Sequence, residues 1–244
     1  MNAFFRGVWE TIAPRPGDRH GPLPSLLLGL TVVTGLVDAF SYLVLGHVFV
    51  ANMTGNVAFW AFALAGARGF SIGASAVALV SFGIGAFAGG RAGIRLGQDR
   101  AHLLGAVVSC QAVLVATAVI VAALSPQPVS GGFRYPLIIA LAVAMGSQNA
   151  TVRHLGVPDL QTTNVLTTAI TGIAADSRTT AGNRSSAGRR SLSVVALFIG
   201  ALVGAVFVLH VAMLVPLIVA LVALTAIAGT IRLLGRANPA WVAP

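Results

Sequence analysis

Beyond residue 24 the chain is a series of long apolar runs separated by short polar breaks. Crossing a bilayer as a helix takes about 20 mostly apolar residues, and six runs meet or approach that length: 25–46, 71–90, 103–124, 135–155, 192–209 and 211–233. Two other stretches break the pattern. Residues 47–70 open with HVFVANMTGN before a short apolar run, 57–67, and residues 158–176 contain the Thr/Asn-rich string TTNVLTT. The first is too short to cross alone and the second too polar to face lipid. Non-helical backbone is tolerated at membrane depth only inside protein or beside water. Both segments are therefore expected to re-enter, each as an extended stretch followed by a half-helix that starts near mid-membrane.

The order of features occurs twice. Gly35-Leu-Val-Asp38-Ala39 is followed by Leu45-Gly46, and Gly146-Ser-Gln-Asn149-Ala150 by Leu155-Gly156. Each block leads into an Asn/Thr-rich segment and then into a run carrying a small-residue stripe, Gly85 to Gly89 or Gly200 to Gly204. Three crossings per half would invert the second copy, as in transporters with inverted repeats. The expected architecture is all-α and polytopic: six transmembrane helices plus two re-entrant half-helices in two inverted three-span repeats. Its parts are a cytoplasmic N-terminal tail (1–24), a first membrane repeat (25–124) and a second (135–234), with an Arg-rich cytoplasmic loop (176–191) inside the second.

Composition agrees with a lipid solvent. Of the 244 residues 57% are hydrophobic and 9% charged, against about 25% charged in soluble domains. All 15 basic residues are Arg, so no P-loop lysine exists to cradle ATP phosphates. The net charge of +9 does not point to nucleic acid, because the arginines sit in short breaks between apolar runs, where they orient helices. Six crossings with the N-terminus inside put thirteen arginines on the cytoplasmic side and leave Arg68 and Arg134 outside; eight crossings would give eleven against four. Six is preferred, with both termini cytoplasmic in a bacterial inner membrane. Residues 1–24 lack a continuous apolar core or a small-residue cleavage site, and are read as a retained tail. Cys110 sits alone in an apolar run and is read as a small hydrophobe.

Asp38 is the one acid inside a full span. An Asp at a helix centre costs about 2.5–3.5 kcal/mol on insertion scales, so it should face the protein interior, where such residues mark transport paths. Asn52, Thr54 and Asn56, with Gly55, have the chemistry of a helix N-cap, leaving backbone N–H groups and the positive dipole end aimed at mid-membrane. Capping alone would also explain these residue types. Thr162, Thr163, Asn164, Thr167, Thr168 and Thr171 would form the opposing surface. Gln148 and Asn149 stand where the first half has Val37 and Asp38, so only one half can carry a titrating charge. The candidate solute-binding set is Asp38, Asn52, Thr54, Gly55, Asn56, Gln148, Asn149, Thr163, Asn164 and Thr167.

The small-residue stripes let helices approach closely, either joining the two halves or forming a homodimer. His47, His154 and His210, with Trp9, Trp60 and Trp241, are read as interfacial or packing residues. No ligand spacing for a metal, no cofactor motif and no GxSxG or HExxH string is present, so neither an enzyme nor a cofactor is expected.

The string GLVDAFSYLVLGHVFVANMTGN, Gly35 to Asn56, resembles the signature of the YoaK family, bacterial membrane proteins grouped under domain of unknown function 1275. The second-half strings MGSQNA and TTNVLT resemble the family pattern too, and the likeness runs from Ser25 onward. It implies a six-span inner-membrane protein and no particular substrate. The expectation from the residues is a proton-coupled secondary permease for a small polar or anionic solute, with Asp38 handling the proton. The alternatives are a passive channel of the same layout and a scaffold that moves nothing.

Overall fold

A computed structural model describes residues 8–9, 11–12, 20–126, 129, 131–157, 181–237 and 241–242, with 181–187 by backbone alone. Among these the regular elements are α-helices and one 3-10 turn: α1 (Leu23–Val44), α2 (Met53–Leu64), α3 (Ile72–Leu96), α4 (Arg100–Leu124), α5 (Arg134–Leu155), α6 (Ala181–His210) and α7 (Val215–Ala237). All but α2 are long and apolar enough to cross a membrane. Two of them start at polar caps. Ser71 Oγ accepts from the Ala74 amide at the start of α3, and Asp99 Oδ1 from the His102 amide at the start of α4.

One departure concerns the Arg-rich stretch expected as a loop over 176–191. From Ala181 it is helical and continuous with the fifth long helix, α6. Ala, Arg and Ser extend a helix at little cost and no Pro interrupts them, so Arg184, Arg189 and Arg190 occupy its first turns.

Helix directions follow from which residues touch. Near one end Gly21 lies against Trp241, the Arg100 amide donates to Val242 O (2.9 Å), and Gly93 and Gly97 face His154. Near the other, an Arg134 guanidinium N–H donates to Gly46 O (3.1 Å) and Gly73 faces the Tyr135 hydroxyl. Thus α1, α4 and α6 run one way, and α3, α5 and α7 the other. The outward surfaces are apolar, with Val80, Ile84 and Phe87 of α3, Val113 and Ile120 of α4, and Phe198 and Leu202 of α6 exposed. Such a surface suits hydrocarbon.

The most extensive contacts are α3 with α5 and α1 with α6, both parallel pairs. Each is made through glycine. A Cβ on Gly35 would strike the backbone of Leu197, Gly200 and Ala201, and one on Gly200 the backbone of Val32. In the other pair a Cβ on Gly146 would strike Phe82 and Ala86, one on Gly85 Val143, and one on Gly89 Ser147. Gly35 and Gly146 head the two matching sequence blocks, and each meets the glycine stripe of the other half of the chain. Of the two uses expected for the stripes, packing the halves together is the one observed. Gly85, Gly89, Gly200 and Gly204 are buried within a single chain, so these faces are not free to join protomers.

A buried chain of side chains adds a polar link. Gln111 Nε2 of α4 donates to Gln148 Oε1 of α5 (2.6 Å), and Gln148 Nε2 donates to Thr34 Oγ1 of α1 (3.0 Å). All three are buried, where a hydrogen bond has no competing water and an orphaned amide is costly.

Neighbouring glycines supply a test. Gly89 abuts the Ser147 backbone, whereas a Cβ on Gly90 would meet open space. Gly89→Ala should lower stability by about 1–3 kcal/mol through overpacking, while Gly90→Ala should be neutral or stabilising by up to about 1 kcal/mol. Unfolding of the two variants in the same detergent makes the comparison.

Candidate functional site

The site begins where α1 stops. Gly46 (φ 79°) and His47 (φ 56°) adopt left-handed backbone, and the His47 amide donates to Tyr42 O (3.0 Å), a Schellman closure that a glycine after Leu45 permits. The chain then doubles back beside the helix it has left. The Val50 and Ala51 amides both donate to Asp38 Oδ1, at 3.2 and 2.9 Å. Asp38 lies six residues before the end of α1, a rise of about 9 Å. Val48, Val50 and Ala51 are buried along this path.

Asn52 caps α2, its Oδ1 accepting from the Gly55 amide at 3.4 Å. The helix runs for 12 residues, about 18 Å, well short of a hydrocarbon core of about 30 Å. A second left-handed glycine, Gly66, follows it, with the Ala67 amide bonded to Phe62 O. His47 Nδ1–H then donates to Gly69 O (3.1 Å). The outgoing and returning strands of the excursion therefore touch.

Asn56 is fully buried and holds the peptide groups of Phe49 at both ends: the Phe49 amide donates to its Oδ1 (2.9 Å), and its Nδ2 donates to Phe49 O (2.6 Å). A Cβ on Gly55 would collide with the Phe49 ring, so that glycine makes room for an aromatic of the same segment. Tyr42 stacks on Phe49 at 4.8 Å, Phe49 on Phe59 at 5.7 Å, and Phe59 on Phe70 at 5.1 Å. This aromatic column ties the end of α1, the extended stretch, α2 and the approach to α3 together.

Between α1, the extended stretch and α6 lies a cavity of about 300 Å³, lined by Gly35, Asp38, Ala39, Tyr42, Leu43, Phe49, Asn52, Leu197, Ala201 and Ala205. Asp38 is its one charged lining residue. Oδ1 of that carboxyl holds two amides, and Oδ2 makes no hydrogen bond among the described residues. A carboxyl so placed can take up a proton or pair with a donor entering the cavity, while Asn52 and Tyr42 add neutral polar contacts. No group of three or more His, Cys, Asp or Glu gathers among the described residues.

Asp38 and Asn52 therefore share one cavity. Gly55 and Asn56 stand behind it, bracing Phe49, and Thr54 is exposed on the first turn of α2. Gln148 lies in the buried link to Thr34 and Gln111, and Thr34 is one helical turn from Asp38. Asn149 is half-buried beside it on α5. Thr163, Asn164 and Thr167 lie outside the described residues, as do Thr162, Thr168 and Thr171. Sequence reasoning missed Gln111, Thr34, Tyr42 and Phe49. The two polar residues interrupt apolar runs and were readable as such. The aromatics became significant only when the chain doubled back.

The brace predicts an asymmetry within the motif. Asn56→Ala would leave the buried Phe49 amide and carbonyl without partners and should cost about 2 kcal/mol or more. Thr54→Ala, at an exposed side chain, should change stability by less than about 0.5 kcal/mol. Thermal unfolding of purified protein in detergent separates the two.

A family model described as "Protein of unknown function (DUF1275)" matches residues 26–230. The chain is also similar to the UPF0700 transmembrane protein YoaK of Bacillus subtilis (strain 168), at 30% identity over 152 residues. That alignment covers 62% of this chain and 66% of the relative, just under two thirds of its length. No solved structure matches. With the doubled-back segment falling on the motif and the family model spanning nearly all the long helices, the chain belongs to the YoaK (DUF1275) family of multi-pass membrane proteins.

Proposed function

We propose that this protein is a proton-coupled secondary permease for a small polar solute, and that residues 45–71 re-enter the membrane without crossing it. The observation that carries the reading is Asp38: a carboxyl within a membrane-length helix that lines a cavity and holds the Val50 and Ala51 amides through one oxygen. Bonds from an amide to an ionised carboxylate are roughly twice as strong as those to a neutral acceptor. Protonation of Asp38 therefore loosens its hold on the extended stretch that forms one wall of the cavity. Proton occupancy and the position of that wall become linked, and linkage is reciprocal: a solute that favours one position of the wall shifts the proton affinity.

The charge of the lining narrows the solute class. An anion would enter only with Asp38 protonated, so its transport would carry the proton with it; a neutral polar solute would bind through Asn52, Tyr42 and Asp38 together. The matched glycine contacts of α1 with α6 and α3 with α5 support two inverted three-span halves, which alternating access uses as bodies that move against each other. The end of the bundle carrying Arg91, Arg95, Arg100, Arg153, Arg232 and Arg236 is assigned to the cytoplasm by the positive-inside rule, with both chain termini there, in a bacterial inner membrane.

Proteoliposomes and a panel of small polar and anionic solutes test this reading. Solute addition under an inward proton gradient should acidify the lumen, as read by a trapped pH dye. Asp38→Asn keeps an acceptor for Val50 and Ala51 and should lower coupled flux at least tenfold. Undiminished coupled flux in that variant would remove the proton role, and solute flux indifferent to the gradient would make the protein a passive channel.

A further inference from the structure

A second concavity, of about 580 Å³, lies between the first turns of α4 and the last turns of α7, at the arginine-rich end of the bundle and away from Asp38. Two facing stripes form it. His102, Gly105, Ala106 and Ser109 recur at helical spacing along α4, and Ile231, Arg232, Gly235 and Arg236 along α7. The two helices pack closely along its floor, where a Cβ on Gly235 would meet Ala101 at 3.2 Å and one on Gly105 would meet Ile231 at 3.4 Å.

Its charge is unbalanced. Arg232 and Arg236 face a single carboxylate, Asp99, whose Oδ1 is engaged by the His102 amide at 2.7 Å as the cap of α4. The Arg232 guanidinium donates to Ser109 Oγ at 3.4 Å, a long contact with a neutral hydroxyl, nine residues inside α4. A guanidinium near the end of a lipid-facing helix reaches toward the interface, where an anion can pair with it. Arg232, Arg236 and His102 are all exposed and available to one.

We infer that this groove binds an anionic phospholipid, its phosphodiester held by Arg232 and Arg236 with His102 beside them. The shape of the surrounding surface favours a lipid over free phosphate. The α4 stripe continues from Ala106 through exposed Val113 and Ile120, and the α7 face through exposed Val222 and Ile218, a hydrocarbon track leading straight from the charged cradle. Basic pockets between membrane helices at the cytoplasmic surface are suited to such headgroups. The inference is independent of any transport activity.

The test uses the full chain in nanodiscs of equimolar phosphatidylcholine and phosphatidylglycerol, with lipid retained through detergent purification measured by mass spectrometry. Phosphatidylglycerol should be enriched on the unaltered protein. The pair Arg232→Gln and Arg236→Gln should lower that enrichment about tenfold. The pair Arg91→Gln and Arg95→Gln removes the same charge from the exposed face of α3 and should leave it unchanged. Ala106→Leu, at an exposed lining position, keeps both arginines but fills the groove and should reproduce the loss, which covers the case of an arginine variant that does not fold. Absence of enrichment, equal loss from both arginine pairs, or full retention in Ala106→Leu would overturn the assignment. Inorganic phosphate that displaces phosphatidylglycerol, or raises the melting temperature as far, would reassign the cradle to a free anion.

Discussion

Backbone that is neither helix nor strand has to find hydrogen-bond partners wherever water is absent, and the stretch between α1 and α2 meets that demand with side chains. Asp38 takes the Val50 and Ala51 amides, and Asn56 takes both polar groups of Phe49. Two side chains thereby satisfy peptide groups that a ladder would otherwise serve. The motif residues Asp38 and Asn56 are first of all the supports of an irregular path. The chemistry open to Asp38 follows from that use, because an oxygen held by two amides fixes the carboxyl at the wall of the cavity.

Around this path the helices are held by shape more than by polarity. Hydrocarbon provides no hydrophobic drive between helices, so close backbone approach and dispersion must hold them. Gly35 against Gly200, and Gly146 against Phe82 and Ala86, provide that approach in two crossings. One difference separates the halves. The first has Asp38 after Val37, whereas the second has Asn149 after Gln148, and Gln148 reaches inward to Thr34 and Gln111. The polar interior is therefore unequal, with the charge on α1 and a neutral amide chain running from α4 through α5 to Thr34.

The lipid-facing surface is not uniform either. Most of it is apolar, yet between α4 and α7 lies a cleft where arginines stand against a hydroxyl and a capping carboxylate.

Hydropathy alone determined the number of long helices, the all-helical class and the break at HVFVANMTGN, because a bilayer imposes a length and a composition that short-range sequence must meet. The cap roles of Asn52, Ser71 and Asp99 were local in the same sense. Tertiary structure decided what those motifs face. Asn56 and Gly55 turned out to serve Phe49, the glycine stripes found partners inside the chain, and the Arg-rich stretch from Ala181 continued a helix into the bundle. Pairings such as Asp38 with Val50 or Gln111 with Gln148 depend on how far the chain doubles back and which helices become neighbours. Residue type and spacing constrain what a side chain can bond, but only the packed bundle brings a particular partner within reach.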